Sequence, residues 1–268
     1  MKYAFMTFSC PDRDLAAVLA LAQEYGYDGF EARIDAQHAH GIEAGASPAE
    51  RAELRRQIEQ SPVALACVAT SCRYANVETR EANISDTLLR IDLAAALGCD
   101  RLRVFGGMLS EGLERPRAVE LVAEALRRVA DRAAQRGVTV CMETHDAWCD
   151  PAHVAEVMRK VDHPNVGVNW DIMHPVRAAG VTMEQAHAAV GPWVRHVHFH
   201  DGMNRDGKMT LLPIGEGIVD HRKALELLAG DGYDGYWSGE WIKWQAPEEH
   251  LGRELAAMKQ YESELGLA

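Results

Sequence analysis

The six cysteines include no CxxC pair and no finger-like spacing; Cys10, Cys67, Cys72, Cys99, Cys141 and Cys149 are scattered. That spread offers no thiolate cluster to a metal and fits reduced, partly buried thiols in a cytoplasmic protein. Positive charge is in deficit: 28 Lys and Arg stand against 40 Asp and Glu, for a formal net charge of -12. This balance opposes non-specific nucleic-acid binding, which depends on neutralising phosphates with basic side chains. No apolar run approaches the roughly 18 residues of a membrane span. The opening "MKYAFMTFSC" lacks the apolar core and small-residue cleavage site of a secretory signal. The first β-like run is not followed by a GxGxxG turn, so dinucleotide binding has no support. A linker is missing as well. With no Pro/Ser-rich stretch and no shift in composition, residues 1–268 are expected to form one domain.

What is present is alternation. Short β-like runs ("YAFMTF", "VALACVAT", "VTVCMETH", "VRHVHFHD") take turns with amphipathic helical stretches from end to end. Ser47, Pro48 and Glu50 form a capping signature ahead of one such helix, and Gly98 ends another. Eight strand–helix units predict a parallel sheet covered by helices, and at this length a single closed (β/α)₈ TIM barrel. A doubly wound open sheet is the rival.

In such a barrel the C-terminal strand ends converge on one mouth. The fifth strand ends in Glu143 and His145; the sixth, "VGVNWDIMH", in Asp171 with His174 three residues on. The seventh places His196, His198 and His200 on one face by alternation, and the eighth ends in Glu240. Burying three imidazoles costs desolvation without helping packing. Three carboxylates gathered together repel and take up protons unless a cation sits among them. Glu143, Asp171, His198 and Glu240 are therefore the expected ligands of one divalent metal, with His200 as the alternative to His198. An oxygen-rich set with one imidazole suits Mn²⁺ first, and also Mg²⁺, Co²⁺ or Zn²⁺.

Substrate contacts are expected from His145, Arg103, Arg205 and Lys208, although a solvated loop accounts equally well for the last two. Trp148, Trp170, Trp241 and Trp244 flank the site as sugar-facing walls or as packing. Glu31 reaches the mouth or pairs with Arg33 or Arg103, and the glycines of "PIGEG" suggest a tight loop under the substrate.

With these residues in hand, the chain resembles the sugar phosphate isomerase/epimerase superfamily with the xylose-isomerase-like barrel. The motifs that carry the resemblance are "METH", "VGVNWDIMH", "HVHFHD", "LLPIGEGIVD" and "GYDGYWSGEW". The resemblance implies Glu143, Asp171, His198 and Glu240 as metal ligands, although "HFHDGMNR" also aligns His200 with the ligand of ketose epimerases. It implies that His174 contacts substrate, or a second metal in relatives that have one. The implied activity is isomerisation or epimerisation of a sugar or keto-sugar, by proton abstraction next to a metal-chelated carbonyl through an enediolate. Glu143 and Glu240 are then the proton-transferring pair. A lyase that dehydrates a keto-sugar, cyclitol or dehydroshikimate-like acid is the alternative. A non-catalytic sugar-binding barrel stands further off, because all four ligands are intact. One branch comprises apurinic-site endonucleases with three zinc ions; here the Asp-x-His motif is absent, and His38 and His40 supply at most one missing ligand. Relatives often pair through barrel helices, but no exposed apolar stripe commits this chain to a homo-oligomer.

Overall fold

A computed structural model describes residues 1–267. Its strands are β1 (Lys2–Met6), β2 (Gly29–Arg33), β3 (Ala64–Arg73), β4 (Arg101–Phe105), β5 (Thr139–Glu143), β6 (Val166–Asp171), β7 (Val194–Phe199), β8 (Asp201–Arg205), β9 (Lys208–Leu212) and β10 (Tyr236–Gly239). Eight of them close a parallel barrel in the order β1-β10-β7-β6-β5-β4-β3-β2, while β8 and β9 form a separate hairpin. The expected (β/α)₈ TIM barrel is the fold, and the open sheet is excluded by the β1–β10 pairing, which joins Lys2 to Tyr236 and Phe5 to Gly239.

The covering helices are α1 (Leu15–Tyr25), α2 (Pro48–Glu59), α3 (Arg80–Ala96), α4 (Arg115–Arg136), α5 (Pro151–Val161), α6 (Met183–Val190), α7 (His221–Gly230) and α8 (Pro247–Glu264). Local chemistry starts and stops them. The Ser47 side chain accepts from the Glu50 amide while Glu50 accepts from the Ser47 amide, and Pro48 opens α2. Thr182 and Gln185 repeat that capping box on α6. Such caps contribute about 1 kcal/mol each. Strands buried on both faces read as continuous apolar runs, and every residue of β5 and β6 is buried. Among the described residues, no helix is long and apolar enough to cross a membrane.

Register levels the strand ends. Glu143 stands beside Asn169, Asp171 beside His198, and Phe199 beside Gly239, one residue before Glu240. The segment after β7 departs from a plain loop: β8 and β9 turn through Asp206 and Gly207, with φ of 51° and 75°. That is the two-residue turn an Asp-Gly pair favours. The "PIGEG" loop closes on Asp201, whose carboxylate accepts from the amides of Gly202, Gly215, Gly217 and Val219 at 2.8, 2.9, 3.0 and 3.2 Å. A Cβ on Gly217 would lie 2.0 Å from Asp201 Oδ1, so only glycine fits there.

Candidate metal centre

The three strand-end carboxylates are each aimed by their own strand and its neighbour. Glu143, the last residue of β5, is fully buried. One of its oxygens is 3.1 Å from Arg103 Nε and the other 3.3 Å from His198 Nδ1. Asp171 ends β6, and its backbone is locked to Thr144: its amide donates to Thr144 Oγ1 at 3.0 Å, and that hydroxyl donates to its carbonyl at 3.1 Å. Oδ1 of Asp171 then accepts from the amides of Met173 and His174, both at 2.9 Å. This Asx turn explains the D-x-x-H spacing, because it uses up one oxygen and leaves Oδ2 for the barrel axis. Glu240 follows β10; its amide donates to Phe199 at 3.1 Å, and its carboxylate lies 3.5 Å from His198 Nδ1.

Glu143, Asp171, His198 and Glu240 thus each present a ligand atom within 4.8 Å of the others, all four buried. His200 belongs to a different trio: its Nε2 lies 2.9 Å from Asp171 Oδ2, His174 stands beside it, and its Nδ1 meets the Glu240 carbonyl at 2.9 Å. Of the two candidate histidines, His198 is the one gathered with all three carboxylates.

Electrostatics describe a site short of positive charge. Burial works to raise the Asp171 carboxyl, but His174 and His200 outweigh it and hold it below the usual range. Burial likewise opposes ionisation of Glu240, yet its hydrogen bond to His198 brings it down to about 2. His198 is pushed well up, against its burial, by Glu31 and Glu143. His200 is raised by Asp171, again against burial. Glu143 Oε2 and Asp171 Oδ2 are buried, and each has one charged neighbour: Arg103 for the first and His200 for the second. Three buried carboxylates gathered with one imidazole fit a hard divalent cation.

Around this cluster the imidazoles form a wall. The rings of His145 and His174 lie 4.5 Å apart, and those of His174 and His200 5.6 Å apart. His145 is carried up to about 9: burial opposes the charge, but a 2.8 Å contact with Asp146 outweighs it. His174 is lowered to about 4 by burial. Arg177, in the π-helical turn at Pro175–Ala179, reaches His174 Nδ1 at 3.3 Å and Asn204 at 3.1 Å. Sequence reasoning passed over it, although it sits three residues beyond His174 and so one turn along.

Several expected contacts lie elsewhere. Arg205 and Lys208 are exposed at the tip of the β8–β9 hairpin, paired in register with each other. Trp148 is fully buried, donates to the Gly107 carbonyl at 2.8 Å and packs flat on Gly106, so it is barrel wall rather than a sugar platform. Trp170 and Trp241 are buried as well, the second against Phe199 and His250. Trp244 is half-buried beside His250. Arg103 is buried between Glu143 and the Thr70 carbonyl, which its Nη1 meets at 2.7 Å. Glu31 pairs with neither Arg33 nor Arg103 but with His196 and His198. His38 bonds Thr7, and His40 bonds the Arg33 carbonyl and the Ile42 amide, so both order the loop after β2 and neither joins the acid cluster.

The family model of the xylose isomerase-like TIM barrel matches residues 19–261. The chain belongs to this family. A 3-dehydroshikimate dehydratase of Bacillus anthracis is 21% identical over 265 residues, covering 90% of this chain and 91% of that protein. Among solved xylose isomerase-like barrels, the 3-keto-D-glucoside 4-epimerase of E. coli superposes with a TM-score of 0.77 at 17% identity, over 97% of this chain and 99% of that one. A barrel from Mycobacterium smegmatis in complex with magnesium gives 0.76 at 20% identity, over 100% and 98%. The first two relatives are enzymes of different classes, a lyase and an epimerase, and the third holds a divalent cation.

Proposed function

We propose that this xylose isomerase-like barrel is a divalent-metal-dependent isomerase or epimerase of a sugar or keto-sugar. The observation that carries the reading is the convergence of Glu143, Asp171, His198 and Glu240 at the C-terminal mouth. These four would hold the ion, Mn²⁺ or Mg²⁺ by the hardness of the donors. When bound, such an ion polarises a substrate carbonyl and acidifies the adjacent C–H. The residues then divide the proton work. Glu143 has its second oxygen beside Arg103 and no exposed surface, whereas Glu240 is 5% exposed and faces the mouth. Glu240 is accordingly the carboxylate that removes the α-proton, and Glu143, approaching from β5 with β6 and β7 between, is the partner that returns it on the other face. His145, His174 and His200 line the approach and would bond substrate hydroxyls.

A second reading, dehydration of a keto-sugar, cyclitol or dehydroshikimate-like acid, draws support from one group. His145, held charged by Asp146, is a ready donor for a departing β-hydroxyl. The test is direct: purify the untagged protein, measure its metal content, and screen ketoses and keto-acids in D₂O. Solvent deuterium entering a product of unchanged composition supports the isomerase. Loss of water supports the lyase. Failure to bind added Mn²⁺, Mg²⁺, Co²⁺ or Zn²⁺ would sink both.

A further inference from the structure

Below the acid cluster lies a buried carboxylate that the proposed chemistry does not use. Glu31 is the middle residue of β2 and has no exposed surface. Its carboxylate reaches across the barrel interior to β7, where Oε2 lies 2.8 Å from His196 Nε2 and both oxygens lie 3.1 Å from His198 Nε2. The same His198 ring turns its other nitrogen, Nδ1, to Glu143 at 3.3 Å and Glu240 at 3.5 Å. A buried carboxylate is costly unless its partners repay it, and apolar replacements often serve a core as well. Its presence here calls for a job beyond packing.

The job follows from the chemistry of imidazole. A neutral ring has one N–H and one lone pair, and an ionised carboxylate can only accept. Glu31 therefore keeps a proton on Nε2 of His198 and leaves Nδ1 as the nitrogen that can donate its lone pair to the acid cluster. His196 completes the arrangement: its Nε2–H is given to Glu31, and its Nδ1 has no partner among the described residues. The two inward histidines of β7 and His200 just beyond its end thus have separate places, His196 at the base, His198 at the ligand level and His200 at the rim. We propose that Glu31, braced by His196, is the positioning residue that fixes the tautomer of His198 and aims its Nδ1 at the divalent ion. This rests on the metal-centre reading above.

The test compares the full-length wild type with Glu31→Gln and His196→Gln. Outer partners of metal-ligating histidines typically contribute 10–100-fold to metal affinity. Glu31→Gln should weaken Mn²⁺ binding, followed by EPR titration, by about that factor, and should alter the visible bands of the Co²⁺-loaded protein. A role in stability alone would lower the melting temperature of the metal-free protein yet leave affinity and the Co²⁺ spectrum as in wild type; that result overturns the proposal. Should Glu31→Gln not fold, wild type with ¹⁵N-labelled histidine and Zn²⁺ decides. A proton on Nε2 with the ion on Nδ1 supports the assignment, and the reverse overturns it. If wild type binds no divalent ion, the metal reading itself falls; if only the variant's affinity is unchanged, the centre stands and the role of Glu31 does not.

Discussion

Replacing Arg103 with methionine isolates the charge balance at the base of the site. Arg103 Nε and Glu143 Oε2 are 3.1 Å apart, with side-chain exposures of 1% and 0%. At an effective dielectric of about 20, opposite charges at that separation attract by roughly 5 kcal/mol. Removing one partner of a buried pair typically costs about 3–5 kcal/mol, since the other is left uncompensated. Methionine keeps most of the volume, so cavity formation adds little. For a chain of this size each kcal/mol moves the melting temperature by about 2 °C. Metal-free Arg103→Met should therefore melt about 6–10 °C below wild type by calorimetry. Added Mn²⁺ should recover much of the loss, because a cation at the acid cluster replaces the missing charge beside Glu143. A metal-free shift under about 2 °C, or a loss that Mn²⁺ leaves untouched, would refute the idea that this guanidinium balances the cluster.

Asp171→Ala removes a ligand and also the acceptor for the Met173 and His174 amides; bound metal measured by elemental analysis should fall to background, and full occupancy would contradict the ligand assignment. His40 and His250 are both buried and lowered to about 4 by burial. Their folded values lie below the unfolded value near 6.5, so the unfolded chain binds more protons between pH 4 and 6.5, and stability present above that window is lost as pH falls through it. The urea midpoint should drop from pH 6.5 to 4.5 and drop less in His250→Phe; equal slopes would refute the burial argument. Gly217→Ala drives a methyl into Asp201 and should cost about 1–3 kcal/mol, with faster hydrogen exchange at the amides of Gly215 and Val219. Arg205→Ala and Lys208→Ala, at an exposed hairpin tip, should leave kcat/KM within about twofold of wild type, and a larger loss would restore them to the substrate site.

The barrel and its rim were legible because both leave local marks. A buried parallel strand is an apolar run, and a run that breaks into Glu, Asp or His at its C-terminal end reports a residue at the mouth. Glu143, Asp171, His198 and Glu240 are each marked in that way, and the structure brings them within 4.8 Å. Other features had marks that went unread. The Asp206-Gly207 pair signals a two-residue hairpin turn. Alternation already placed Trp170 on the face opposite Asn169 and Asp171, hence outside the barrel axis and away from substrate.

The contacts within the barrel follow a different rule. Which side chains meet inside it depends on closure and stagger, and these bring β2 level with β7 although some 160 residues of chain separate them. Nothing near Glu31 in sequence says that its partners are His196 and His198; its local neighbours, Arg33 above all, suggest a surface-style pair instead. The same holds for Arg103, whose contacts with Glu143 and Thr70 have no local mark in the sequence. A strand end therefore names the groups gathered at the mouth, while the groups that touch them from inside the barrel are set by closure and stagger. On the function proposed above, the choice between returning a proton and expelling a hydroxyl would turn on His145 with its Asp146 partner and on the exposure of Glu240, and so on more than ligand identity.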